Sequence, residues 1–163
     1  MRDRHNPRWE MLASDIDTVV EEVCNKLWSL SEDIVRRRPA RTEWSAKEVI
    51  GHLIDSASNN HQRFVRLQIT DGLIFPEYGD ENVNWVKIQK YQETPWTDLL
   101  GLWQGVNRHL ARIIRNVDET CIDHRWLVDE DTTITLGELM VDYLRHLKNH
   151  ILQIEDCIKE GEK

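Results

Sequence analysis

A four-helix bundle is the fold this sequence predicts, on three observations. Four long stretches carry apolar residues at helical spacing, two of them open on an S/T-x-x-E pattern, and no run alternates as a strand would. Repeats, low-complexity tracts and long flexible linkers are absent from the 163 residues, so residues 1–163 are expected to form one domain with its own core.

The first helix is expected from about Arg8 to Leu30, with Leu12, Ile16, Val19, Val20, Val23, Leu27 and Leu30 on one face. The stretch "RRRPARTEW" interrupts the pattern, because Pro39 has no place inside a helix. Ser45 and Glu48 then form a capping box, each satisfying the other's orphan backbone donor. The second helix continues through Val49, Ile50, Leu53, Ala57, Phe64 and Leu67 to about Thr70. "DGLIFPEYGDEN" reads as a loop, followed by a short helix over Val83 to Tyr91. Long connections with structure of their own often cover a functional site. The third long helix opens at "TPW", with Thr94 as its cap and Pro95 in the first turn. Leu99, Leu102, Trp103, Val106, Leu110, Ile113 and Ile114 carry its stripe. "CIDHRWLVDEDTTI" is less helical and can hold an extended pair. A second capping box, Thr135 with Glu138, starts the last helix, whose face runs from Leu136 and Met140 to Ile154 and Ile158.

Composition narrows the function. A net charge of −8 opposes binding to a phosphate backbone, so no nucleic-acid partner is expected. The one dense basic run, Arg36, Arg37, Arg38 and Arg41, suits a helix C-terminus, where cations complement the dipole. No apolar run approaches the ~20 residues of a membrane span, and no signal peptide is recognisable at the N-terminus. The three cysteines, Cys24, Cys121 and Cys157, follow no disulfide or zinc spacing, so a cytoplasmic protein with reduced thiols is expected. Seven tryptophans promise an aromatic core or a lined cavity.

The last helix carries His146 and His150 four residues apart, one turn above the other. Both flank the apolar stripe, where a side chain can reach a cavity between helices. The pair reads either as two ligands of a metal or as two histidines sharing a face. HxxxH supplies two imidazoles to one ion in zinc proteases, but the glutamate of HExxH is missing here, which excludes that class. A third ligand must come from another helix, and His52 is the best candidate, on a polar strip beside the core with Ser45, Ser56, Asn59 and Arg63. His5, His61, His109 and His124 read as packing or surface residues, with His109 among core positions. Cys157 lies about 10 Å beyond His150 along the helix and reads as a buried thiol.

These segments resemble a known family. "EWSAKEVIGHLIDSASNN", with Trp44, Ser45, Glu48, His52, Asp55, Ser56 and Asn59, is similar to the second helix of the DinB/YfiT-like superfamily. "PEYGDENVNWVKIQKY" resembles the aromatic, acidic loop of its YfiT-type branch, and "TLGELMVDYLRHLKNHILQIE" its final helix. The resemblance covers about Leu27 to Ile158. One departure is Asn149, where many members have a histidine directly before the last ligand.

The resemblance implies a bundle in which His52, His146 and His150 bind a divalent metal, nickel or zinc first, manganese or iron as further options. Three neutral imidazoles leave at least one open position, the pattern of a catalytic rather than a structural site. Asp55 and Glu48 are the candidate catalytic carboxylates, with Asp142, and would accept a proton or orient a ligand imidazole; the alternative is carboxylates on a helix surface. On the helical wheel Asp55 falls somewhat toward solvent. Arg63 would hold an anionic substrate group or pair with a nearby acid, and Asn59 would line the same cavity. Tyr78, Trp85 and Tyr91 would form a lid or serve as ordinary packing. The implied activity is a metal-dependent hydrolase or a transferase using a low-molecular-weight thiol such as bacillithiol, mycothiol or glutathione, acting on a small-molecule substrate. The competing readings are a non-catalytic metal- or ligand-binding bundle acting as sensor, store or partner module, and a vestigial site. Family members often pair, so a homodimer is among the expectations, with no face assigned.

Overall fold

Each long apolar-striped stretch folds as a helix. The computed structural model describes residues 6–40 and 43–161, so the readings of His5 and Arg41 lie outside the described residues. Helix α1 spans Pro7–Leu27, α2 Glu32–Arg36, α3 Ala46–Leu67, α4 Asn82–Gln89, α5 Trp96–Arg115 and α6 Leu136–Gly161. Three short strands accompany them: β1 Leu73–Ile74, β2 Arg125–Leu127 and β3 Thr133–Thr135.

Both capping boxes form. Ser45 N donates to Glu48 Oε2 at 2.9 Å while Glu48 N donates to Ser45 Oγ at 3.3 Å, and Thr135 and Glu138 repeat the exchange at 2.9 and 3.2 Å. Helix α1 begins where Asn6 Oδ1 accepts from Arg8 N, with Pro7 in the first turn.

Three expectations need correction. Helix α1 stops at Leu27, short of Leu30, and there the Leu27 carbonyl accepts from Leu30 N at 3.2 Å and from the indole of Trp96 at 2.9 Å. A five-residue helix, α2, then stands just ahead of Pro39, where the sequence pattern predicts no helix. Helix α5 has Pro95 at its cap position instead of Thr94, and the carboxylate of Glu32 accepts from Trp96 N at 2.7 Å across the structure. The basic run is divided. Arg36 lies in the last turn of α2, as a helix-end cation should, but Arg38 turns inward to a two-pronged ion pair with Glu48.

Helices α1, α3, α5 and α6 make the bundle. Helix α1 packs on α5 and α6, and α3 packs on the same two, so the first two long helices face each other across a diagonal. The apolar stripes meet in a core containing Ile16, Leu53, Phe64, Leu100, Trp103 and Leu147. The irregular segment holds the expected extended pair, β2 against β3 with Trp126 opposite Ile134, and β1 adds in parallel to β2. Alternation along β2 buries Trp126 while Arg125 stays exposed, and the Trp126 indole donates to Phe75 O at 2.9 Å. This sheet closes one side of the space between α3 and α6.

Candidate metal centre

His52 stands on the second turn of α3, and His146 and His150 on successive turns of α6. The contact between α3 and α6 brings the three rings together, with centroids 5.5 Å (His52–His146), 4.7 Å (His52–His150) and 4.5 Å (His146–His150) apart. One nitrogen from each ring lies within 4.8 Å of the others. Trp44, just before the α3 cap, packs its ring 5.0 Å from His52 and walls the cluster.

The donor set fits a metal ion. His52 Nδ1 and His146 Nε2 are buried with no hydrogen-bond partner, and His150 pairs its Nδ1 with Gln153 Oε1 at 2.8 Å, leaving Nε2 free of it. A buried polar nitrogen left unpaired costs about 1–3 kcal/mol, which coordination would offset. Burial, then the neighbouring His150 and His146, push the His52 pKa down to about 3; burial and His150 push His146 down to about 4. Both imidazoles are therefore neutral at pH 7, the form that ligates.

A cavity of about 290 Å³ opens beside the cluster. Of the residues singled out in the sequence, His52, His146, His150, Arg63, Tyr78, Trp44, Ser56 and Asp142 line it. Tyr78 packs its ring 6.3 Å from His52 and 5.1 Å from Trp85, so Trp85 backs the tyrosine without lining the cavity. Burial pushes the Tyr78 hydroxyl up to about 12, so it stays protonated.

The other residues lie outside the lining. Tyr91 is on the far side of Asp55, donating its hydroxyl to Asp55 Oδ1 at 2.6 Å, and Gln89 donates to the same oxygen at 2.6 Å. Asp55 is 3% exposed, against the wheel's suggestion of a more solvated position, because α4 and the turn after it pack over that side of α3. Its Oδ2 is buried without a partner, and burial raises its pKa against the lowering by Tyr91 and Gln89. Glu48 is occupied by its capping box, Arg38 and Gln92. Asn59 donates to Asp55 O, a bond within the helix, and it is Asn60 that faces the cavity.

Sequence reasoning missed Asn60, Trp126 and Gly51. Trp126 comes from the irregular segment, where no periodicity points inward. Gly51 adjoins His52 and lets the Tyr91 ring lie directly on α3, where a Cβ would overlap it. His61 and His124 match the packing or surface reading, and His109 is exposed instead of lying among core positions; it stands 5.2 Å from the His61 ring. The His124 Nδ1 pairs with Leu67 O at 2.6 Å, at the end of α3. Cys157 is buried, with its thiol on the Trp44 carbonyl.

A family model described as the DinB superfamily matches residues 17–154. The chain belongs to the DinB superfamily. Among solved structures it is similar to YfiT from Bacillus subtilis, described as "a probable metal-dependent hydrolase with an unusual four-helix bundle topology". The TM-score is 0.83 at 16% identity, covering 98% of this chain and 91% of that one. Among curated proteins it is 25% identical over 117 residues to an Oceanobacillus iheyensis protein named "putative metal-dependent hydrolase". That alignment spans 71% of this chain and 66% of the relative, just under two thirds of its length. No helix among the described residues is long and apolar enough to cross a membrane.

Proposed function

We propose that this DinB-superfamily chain is a metal-dependent hydrolase of a small molecule, with His52, His146 and His150 holding a divalent ion, nickel or zinc. The observation that carries the reading is the cross-helix cluster of three imidazoles at the mouth of a walled cavity. The names of two similar proteins point the same way. An all-imidazole donor set suits nickel, zinc, copper or iron better than magnesium or calcium. An ion held by these three imidazoles would supply Lewis acidity and would lower the pKa of a water bound to it.

The chain's own residues do the rest. Trp44, Tyr78 and Trp126 exclude bulk water from the cavity and strengthen electrostatics within it. The protonated Tyr78 hydroxyl is available to donate to a substrate oxygen. Asp55 acts behind the site, one turn from His52 on the same helix. Its Oδ2 is buried without a partner, which leaves it free to orient a ligand imidazole through the ring nitrogen that does not hold the ion. Tyr91 and Gln89 keep that carboxylate in place.

Ester and amide panels assayed on metal-loaded protein test the proposal, alongside conjugation assays with bacillithiol, mycothiol and glutathione. Hydrolysis that is lost in His150→Ala, with helicity retained, is the expected result. Thiol conjugation without hydrolysis would replace the reading with a transferase, and a folded, metal-loaded protein inactive in both panels would leave the non-catalytic binding bundle.

A further inference from the structure

The cavity has a second chemical end. Three turns beyond His52 on the same face of α3 stands Arg63. It is 4% exposed, an unusual degree of burial for a guanidinium, and lines the cavity. One face lies 3.9 Å over the Trp126 ring, and Phe75 lies 5.8 Å away. Its hydrogen bonding is poor for so buried a cation. Nη2 reaches Pro76 O at 3.3 Å and Glu77 Oε2 at 3.4 Å, long beside the roughly 2.7–2.9 Å of a charge-assisted bond, and Nε is buried with no partner. Glu77 is exposed and spends its other oxygen, Oε1, on the backbone of Tyr78 and Gly79.

Between the two ends, on the same helix face, Asn60 donates to Ser56 O and keeps its Oδ1 buried and unpartnered. The strip thus offers, in order, the histidine cluster, an orphan acceptor and an under-used guanidinium. Among the described residues Arg63 is the only lysine or arginine lining the cavity, and Glu77 and Asp142 line it as well, so at the Arg63 end a dianion such as a phosphate ester would be poorly compensated. A planar monoanion matches the fork of Nε and Nη2.

We propose that the cavity takes a small carboxylic acid, its carboxylate on Arg63, an N–H or O–H donor on Asn60 Oδ1, and its reactive bond turned toward the histidines. This rests on the metal-hydrolase reading for the reaction, but the carboxylate subsite stands on Arg63 and Asn60 alone. The volume of about 290 Å³ admits only a compact molecule, at the lower limit of small-ligand pockets.

N-acetylglycine and its neutral counterpart N-acetylglycinamide, titrated calorimetrically into the metal-free full chain, test this apart from the metal. The acid should bind at least about tenfold more tightly than the amide, as expected when a charge-assisted pair is lost. Arg63→Gln should reduce the acid to the level of the amide. Glu77→Gln keeps its Oε1 for the loop but removes the charge competing for Arg63, and should tighten the acid several-fold. Equal binding of acid and amide, no binding of the acid, unchanged binding in folded Arg63→Gln, or weaker binding in Glu77→Gln would each overturn the proposal. Acid binding that requires loaded metal and vanishes in His52→Ala would also overturn it, while leaving the metal reading intact. Acid binding on a chain that takes up no metal would do the reverse.

Discussion

His52 shows most directly what burial does to a single residue here. At 4% exposure, with two imidazoles close by, it stays neutral down to about pH 3, and His146 to about pH 4. In the unfolded chain both would take a proton near pH 6.5. The unfolded state therefore binds more protons over the window between, and stability falls as pH drops from about 6.5 toward 3. At pH 5 the loss from His52 alone should be about 2 kcal/mol, seen as a lower denaturation midpoint of metal-free protein, and His52→Gln should flatten that pH dependence. Gly51 is the second telling residue. Gly51→Ala would drive a methyl into the Tyr91 ring, so it should destabilise by about 1–3 kcal/mol in denaturant titration and release the Tyr91–Asp55 bond. The histidine spacing was legible because helical periodicity alone stacks i and i+4. Gly51 was not, since its need arises from a ring forty positions along the chain.

At the scale of elements, α2 and the turn after α4 carry the lessons. Helix α2 has five residues, too few for a periodic signal, and its Glu32 acts through partners far along the chain: Lys47 Nζ at 2.8 Å and Trp96 N at 2.7 Å. Lys47 is 1% exposed, so Glu32→Ala would strand a buried ammonium and uncap α5. A loss of about 2–4 kcal/mol is expected in thermal or chemical unfolding, and Glu32→Asp should recover little because the carboxylate must reach both donors. Helix α4 ends on Lys90 with φ of 52°, a left-handed conformation that favours glycine. Lys90→Gly should accordingly raise stability by up to about 1 kcal/mol in the same assay. The long helices and both capping boxes were readable because each is a local pattern. Caps and strands made by distant partners, such as Glu32 on α5 or β1 beside β2, leave no local trace.

The whole molecule explains why three histidines from two segments meet. With α1 across the diagonal, α3 and α6 are neighbours, and the sheet and the Tyr78 loop close the space between them. The sequence pattern announced four helices, but their order around the bundle depends on which stripes interlock, which no single stripe specifies. The resemblance of "GHLIDS" and "HLKNH" to one family supplied that missing pairing, and the cluster of His52, His146 and His150 agrees with it. The most direct test is elemental analysis of protein purified without an affinity tag or chelator. Near-stoichiometric nickel or zinc, lost in a folded His52→Ala variant, is the predicted result. A folded wild-type chain that takes up no metal after reconstitution with nickel, zinc and manganese would contradict it.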